Sequence, residues 1–239
     1  MRVLSFSEKG CIRKNNEDSL LVLPEYGLYA VADGMGGHRA GEVASSTALQ
    51  ELKKLVPQLV AFEGQVLESR LTEAFVRANQ VIYESSTGEP ENAGMGTTLT
   101  VLMIRSKSAV IAHVGDSRAY LWRNEALTSL TVDHSLVGEL LRLEQISPEE
   151  AEKHPQRHVL MRAVGVNQDI EVDCRSISLQ NGDVFLLCTD GFSNVISDQE
   201  LAKEFLEPDS WEGRFENLRM LTLERGAPDN FTALCCILE

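Results

Sequence analysis

At 239 residues, 43% of them hydrophobic and 24% charged, the chain has ample material for a core and fits one large domain or two small ones. The formal net charge is -14 and no basic run is present. This excludes the usual electrostatic binders of nucleic acid and anionic membranes. No apolar stretch reaches the ~18 residues of a membrane helix, and no basic segment leads into an apolar one as in a secretory signal. The expectation is a soluble cytoplasmic protein. Five cysteines, Cys11, Cys174, Cys188, Cys235 and Cys236, are odd in number and irregularly spaced. They read as reduced, buried thiols, not as disulfides or a zinc site. None is followed six residues later by arginine, which argues against a cysteine-nucleophile phosphatase.

In chain order, residues 2–6, 19–23 and 27–32 read as short strands. Two helical stripes follow, Ala44, Ala48, Leu52 and Leu55, then Leu71, Ala74, Ala78 and Ile82, both expected to face a core. Pro57 and Gly64 are expected to punctuate the link between them, and 85–93 is a polar loop. Apolar runs at 97–104, 109–114 and 119–123 have hairpin spacing and suggest an antiparallel meander. Residues 131–165 break the pattern with three histidines and a capping box at Ser147 and Glu150, and read as a small helical flap over the sheet. Strands resume at 172–179 and 184–188. Ser197 and Glu200 cap a helix to 206, a second runs 211–225 before Gly226, and 231–238 is a closing strand. Strands and helices come in runs, not in βαβ alternation. The pattern therefore predicts an α+β layered sandwich, antiparallel sheets covered by helices, in a single domain 1–239.

Acidic residues recur beside glycine or a tight turn: Asn16-Glu17-Asp18, Asp33-Gly34-Met35-Gly36-Gly37-His38, Gly115-Asp116-Ser117-Arg118, Asp190-Gly191 and Asp229-Asn230. Each alone is explained by a turn. Most follow a short apolar run, however, and strand ends distant in sequence can converge in a sheet. Carboxylates brought together repel unless a cation neutralises them, and oxygen-only ligation suits Mg²⁺ or Mn²⁺. The pattern points to a carboxylate metal site with hydrolytic chemistry on a phosphate ester. The glycine-rich loop is not a Walker A loop, because no Gly-Lys-Ser/Thr follows.

Taken in order, 10–18, 33–38, Met95-Gly96-Thr97-Thr98, 115–118, Asp190-Gly191 and Asp229-Asn230 resemble the metal-dependent Ser/Thr protein phosphatases of the PPM (PP2C-like) family, in its compact bacterial form. The resemblance spans essentially the whole chain. It implies a four-layer α-β-β-α sandwich with a binuclear Mg²⁺ or Mn²⁺ centre at one end, and a flap at 131–165. Asp33 would bridge two ions and the Gly34 carbonyl would ligate one. Asp190 and Asp229 would hold the first ion, and Glu17 and Asp18 the second, partly through water. Asp116 would hold the third, weaker ion of bacterial relatives. Arg13 would bind the substrate phosphate.

Monoester hydrolysis needs on the order of 20 kcal/mol of catalysis. Two ions ~4 Å apart can lower the pKa of a bridging water, which attacks phosphorus without a covalent enzyme intermediate. Arg13 can pair with two phosphate oxygens at once. The leaving alkoxide needs a proton. Many eukaryotic members carry histidine directly after the Asp-Gly pair, but here that position is Met35, so His38 and a metal-bound water are the two candidates. His113 reads as a core histidine, and His134, His154 and His158 as flap-surface or substrate-contact residues. The implied partners are phosphorylated proteins and a cognate Ser/Thr kinase. No partner-binding stripe stands out, so a monomer is expected.

Two other readings compete. One is a phosphatase-like module that binds phosphoproteins without cleaving them, against which stand Arg13, Asp33, Asp190 and Asp229. The other is a serine esterase using Ser117, which would need a base histidine, yet none follows His158.

Overall fold

The computed structural model describes residues 1–37 and 40–239. Its strands are β1 (Arg2–Glu8), β2 (Asp18–Leu23), β3 (Leu28–Met35), β4 (Gly96–Thr97), β5 (Leu99–Ile104), β6 (Ser108–Val114), β7 (Arg118–Arg123), β8 (Ala126–Ser129), β9 (Asp173–Ser178), β10 (Val184–Cys188) and β11 (Phe231–Ile237). Its helices are α1 (Ala40–Leu59), α2 (Gly64–Gly88), α3 (Leu136–Arg142), α4 (Pro148–Glu152), α5 (Asp190–Ser193), α6 (Asp198–Leu206) and α7 (Trp211–Glu224). One sheet has the order β1-β11-β10-β7-β8. The other runs β2-β3-β5-β6-β9, with β4 paired to β3. All the pairings are antiparallel.

Successive side chains of a strand point to opposite faces, and here both faces are covered. In β3, Leu28, Ala30 and Ala32 join the layer under α1 and α2, whereas Tyr29 and Val31 enter the layer between the sheets. In β11, Ala233, Cys235 and Ile237 face α5, α6 and α7, whereas Leu234 and Cys236 face the other sheet. Three apolar layers between four layers of secondary structure make the expected α-β-β-α sandwich. Burial on both faces explains why these strands read as unbroken apolar runs instead of alternating ones.

Both capping boxes form as the sequence predicts, at Ser147 with Glu150 and at Ser197 with Glu200. Five local expectations change. Residues 85–88 belong to α2, so the polar loop begins only after Gly88. Pro57 lies inside α1 and does not punctuate its end. A helical proline costs ~3 kcal/mol, and burial of Val56 and Leu59 on the same turn, at ~1.5–3 kcal/mol each, offsets it. Strand β3 runs on through Asp33, Gly34 and Met35, because Gly34 and Met35 pair with Thr97 and Gly96. The 97–104 run is therefore split at Thr98, whose N–H turns to the Asp33 carbonyl at 2.8 Å. Finally, β8 was not expected: Asn124 and Glu125 both take positive φ and close a hairpin, a turn usually signalled by Asn-Gly.

Residues 131–165 contain α3 and α4. Their flanks are tied back by bridges between Ser135 and Leu160 and between Thr97 and Val164.

Candidate active site

The antiparallel registers bring the ends of β1, β3, β6 and β10 and the starts of β2, β7 and β11 to one edge of the sandwich. A cleft of about 410 Å³ opens there. Arg13, Glu17, Asp33, Gly34, Asp116, Asp190 and Asp229 all line it. Asp18 does not; it lies buried at the start of β2, opposite Asp33. His38 falls outside the described residues.

Each segment is held by backbone hydrogen bonds the chain could form only when folded. The Asp33 N–H donates to Thr98 Oγ1 at 2.9 Å, and its carbonyl accepts from Thr97 Oγ1 and the Thr98 N–H, both at 2.8 Å. The Gly34 N–H reaches the Glu17 carbonyl at 3.1 Å. A side chain at Gly34 would overlap the Gly41 and Glu17 carbonyl oxygens, so only glycine lets these three strands of backbone meet. Asn230 is the hub of the 9–17 loop. Its Oδ1 accepts from the Glu17 N–H, and its Nδ2 donates to the carbonyls of Lys9 and Asn15, all at 2.8 Å. Asp190 opens α5, where Asn194 Nδ2 donates to its Oδ2 at 3.1 Å. Arg13 Nη2 donates to Asp229 Oδ2 at 2.7 Å.

Burial dominates the electrostatics. It pushes the Asp33 carboxyl well above the ordinary carboxylate range, and the charges of Asp18, Asp190 and Asp116 push it further. Burial, then Asp190 and Asp133, raise Asp116 to about 8. Burial raises Asp18 to about 7, although Thr232 and Thr189 hydroxyls donating to Oδ2 at 2.7 and 2.8 Å oppose the rise. Asp190 and Glu17 are raised for the same first cause, desolvation.

Among the described residues no three His, Cys, Asp or Glu side chains already stand together as ligands of one ion. The carboxylates line the walls of the cleft instead. The donor set nevertheless fits a hard divalent cation. It is all oxygen, its members raise one another's pKa, and Asp18 Oδ1 is buried without a hydrogen-bond partner.

Other residues at the cleft were not marked as site residues by their sequence. Asn230, Thr98, Met35 and Leu160 line it. Thr189 and Thr232 hold Asp18 from 171 and 214 residues away. His158 also lines the cleft, as a substrate-contact residue would. His113 is a core histidine, with Thr100 Oγ1 2.9 Å from its Nδ1. His134 is corrected: it is buried at 7% exposure, not on the flap surface, because it packs against His113 with ring centroids 4.8 Å apart.

A family model for protein phosphatase 2C matches residues 2–148. The serine/threonine phosphatase stp of Listeria monocytogenes is 38% identical over 232 residues, which cover 95% of this chain and 92% of that protein. The crystal structure of the Mycobacterium tuberculosis serine/threonine phosphatase PstP/Ppp superimposes with a TM-score of 0.88 at 38% identity, covering 100% of this chain and 98% of that one. The catalytic domain of PstP in complex with two manganese ions is similar as well, with a TM-score of 0.86 at 35% identity and coverage of 100% and 98%.

Proposed function

The chain belongs to the protein phosphatase 2C family and is a metal-dependent serine/threonine protein phosphatase; we propose that the cleft at the strand ends is its active site. What supports this reading is the shared lining of Arg13, Glu17, Asp33, Gly34, Asp116, Asp190 and Asp229. Relatives named as phosphatases over nearly the whole chain favour catalysis over a non-catalytic binding module.

In this reading Asp190 and Asp229 would hold one ion, Glu17 and Asp18 a second, partly through water, with Asp33 shared between the two and the Gly34 carbonyl on one of them, and Asp116 would hold a third. Divalent ions, when bound there, would supply a more acidic water and neutralise phosphate charge. Arg13 releases Asp229 and takes two phosphate oxygens with its planar fork, which orients the ester. Met35 and Leu160 form apolar parts of the cleft wall. The proton for the departing serine or threonine oxygen would come from His38 or from an ion-held water, and His158 contacts the phosphate from the flap side.

Mg²⁺ and Mn²⁺ both suit the oxygen donors. Residues 131–165 act as a flap on a single domain, 1–239. The substrates are phosphoproteins made by a cognate Ser/Thr kinase in the cytoplasm, and the working form is a monomer. No helix among the described residues is long and apolar enough to cross a membrane.

Phosphate release from a phosphothreonine peptide tests the reading. It should require Mn²⁺ or Mg²⁺ and stop with excess EDTA. Folded protein that releases no phosphate with any divalent ion overturns it.

A further inference from the structure

The turn that carries Asp116 is gripped by one flap residue. The His134 N–H donates to the Gly115 carbonyl at 2.7 Å, and the Gly115 N–H donates back to His134 Nδ1 at 3.2 Å. Both backbone polar groups of the residue before Asp116 thus end on His134. Accepting at Nδ1 requires the ring proton to sit on Nε2. That nitrogen lies 3.3 Å from Asp173 Oδ2, a charge contact without hydrogen-bond alignment, and Arg162 Nη1 holds the other oxygen of Asp173 at 3.1 Å. Asp173 therefore favours the tautomer that keeps the grip.

The turn has no slack elsewhere. Gly115 sits at φ 116°, and any side chain there would strike Thr98. On the far side of Asp116, Ser117 Oγ is 2.7 Å from Thr98 Oγ1, and its carbonyl accepts from Thr100 Oγ1 at 3.2 Å. The His134 carbonyl accepts from the Met161 N–H at 2.7 Å. Met161 directly follows Leu160, which lines the cleft.

We propose that His134 is a positioning residue: it orients Asp116 toward the cleft and couples that carboxylate to the flap segment 158–161. The inference rests on the proposed reading of Asp116 as an ion-holding residue. A residue acting one shell out through a ligand typically changes ion affinity or activity about 10- to 100-fold.

The test compares the whole protein with His134→Leu, His134→Asn, His134→Gln, Asp116→Ala and the double variant Asp116→Ala with His134→Leu. Calorimetric Mn²⁺ titration and phosphothreonine-peptide kinetics are the two readouts. His134→Leu should weaken the weakest Mn²⁺ step about 10-fold and lower kcat in parallel, with KM within about twofold. His134→Asn places an oxygen where Nδ1 stands and should recover most of both. His134→Gln keeps size and polarity but moves the acceptor away; it should show the losses expected of His134→Leu, and it replaces that variant if leucine prevents folding. In the Asp116→Ala background the leucine change should add nothing. Full additivity of the two changes, or unaltered Mn²⁺ binding in both the leucine and glutamine variants, overturns the role of His134. Wild-type Mn²⁺ binding in Asp116→Ala alone overturns instead the site reading beneath it.

Discussion

Asp18 and Asp33 are direct register partners across the antiparallel β2–β3 ladder, at the end that opens on the cleft. Two carboxyls in facing positions, both largely out of water, cannot both ionise cheaply without a cation.

This arrangement sets the pH dependence of the metal-free protein. Carboxyls raised to about 7 at Asp18 and about 8 at Asp116 keep protons in the folded state that the unfolded chain has lost. Their contribution is fully present below the unfolded pKa and is lost as pH rises through the folded values. Burial lowers His113, to about 3, and His134, which has the opposite sign; unfolded histidines are half charged at about pH 6.5 and neutral above about pH 7.5, so their smaller gain offsets only part of the fall. The melting temperature of EDTA-treated protein should therefore fall by at least about 3 °C between about pH 6.5 and 8.5. Saturating Mn²⁺ should flatten the profile. A flat profile without metal would contradict the buried-carboxyl account.

Asp190→Asn keeps the shape of the side chain and its neighbour Asn194 but replaces a carboxylate with a neutral amide. Turnover of a phosphothreonine peptide at saturating Mn²⁺ should drop at least about 100-fold, the upper range for less direct ligand-shell changes. Near wild-type turnover removes Asp190 from the site.

Arg13 reaches Asp229 from an exposed position, so losing it should cost little stability. Arg13→Ala should raise KM for a phosphopeptide by about 10-fold or more, with Arg13→Lys in between, because lysine lacks the two-pronged geometry. Unchanged kinetics in both variants would take Arg13 out of phosphate binding.

Thr189 Oγ1 donates to Asp18 Oδ2 and accepts from the Thr232 N–H at 2.9 Å. Thr189→Val leaves both groups short of a partner in a buried setting, at about 1–3 kcal/mol. Urea denaturation of the metal-free protein should show that loss with an unchanged m-value. A variant as stable as wild type would mean that water or movement of Asp18 replaces the hydroxyl.

Gly34→Ala asks whether close approach is the reason for that glycine. The added methyl meets the Gly41 and Glu17 carbonyls, so the end of β3 must shift. We expect a destabilisation of about 1–3 kcal/mol and a larger loss of phosphatase activity than of stability, read by melting and peptide turnover on the same preparation. Wild-type activity would show that the backbone there yields without moving Asp33.

Much of this protein is determined by local sequence. Apolar runs, capping residues and the acidic pairs Asp33-Gly34, Asp190-Gly191 and Asp229-Asn230 are legible because periodicity, turn chemistry and charge act within a few residues. They indicate the layered fold and the kind of chemistry. What only the tertiary structure decided depends on partners far apart in the chain. Strand β3 continues through a glycine that looks like a turn because β4, sixty residues on, supplies its hydrogen bonds. Asp18 is buried under two threonines and not exposed in the cleft. His134 turns inward to Gly115 instead of outward to solvent. Hydrogen bonding and burial are satisfied by whichever group the fold brings near, and no spacing along the chain records which group that will be.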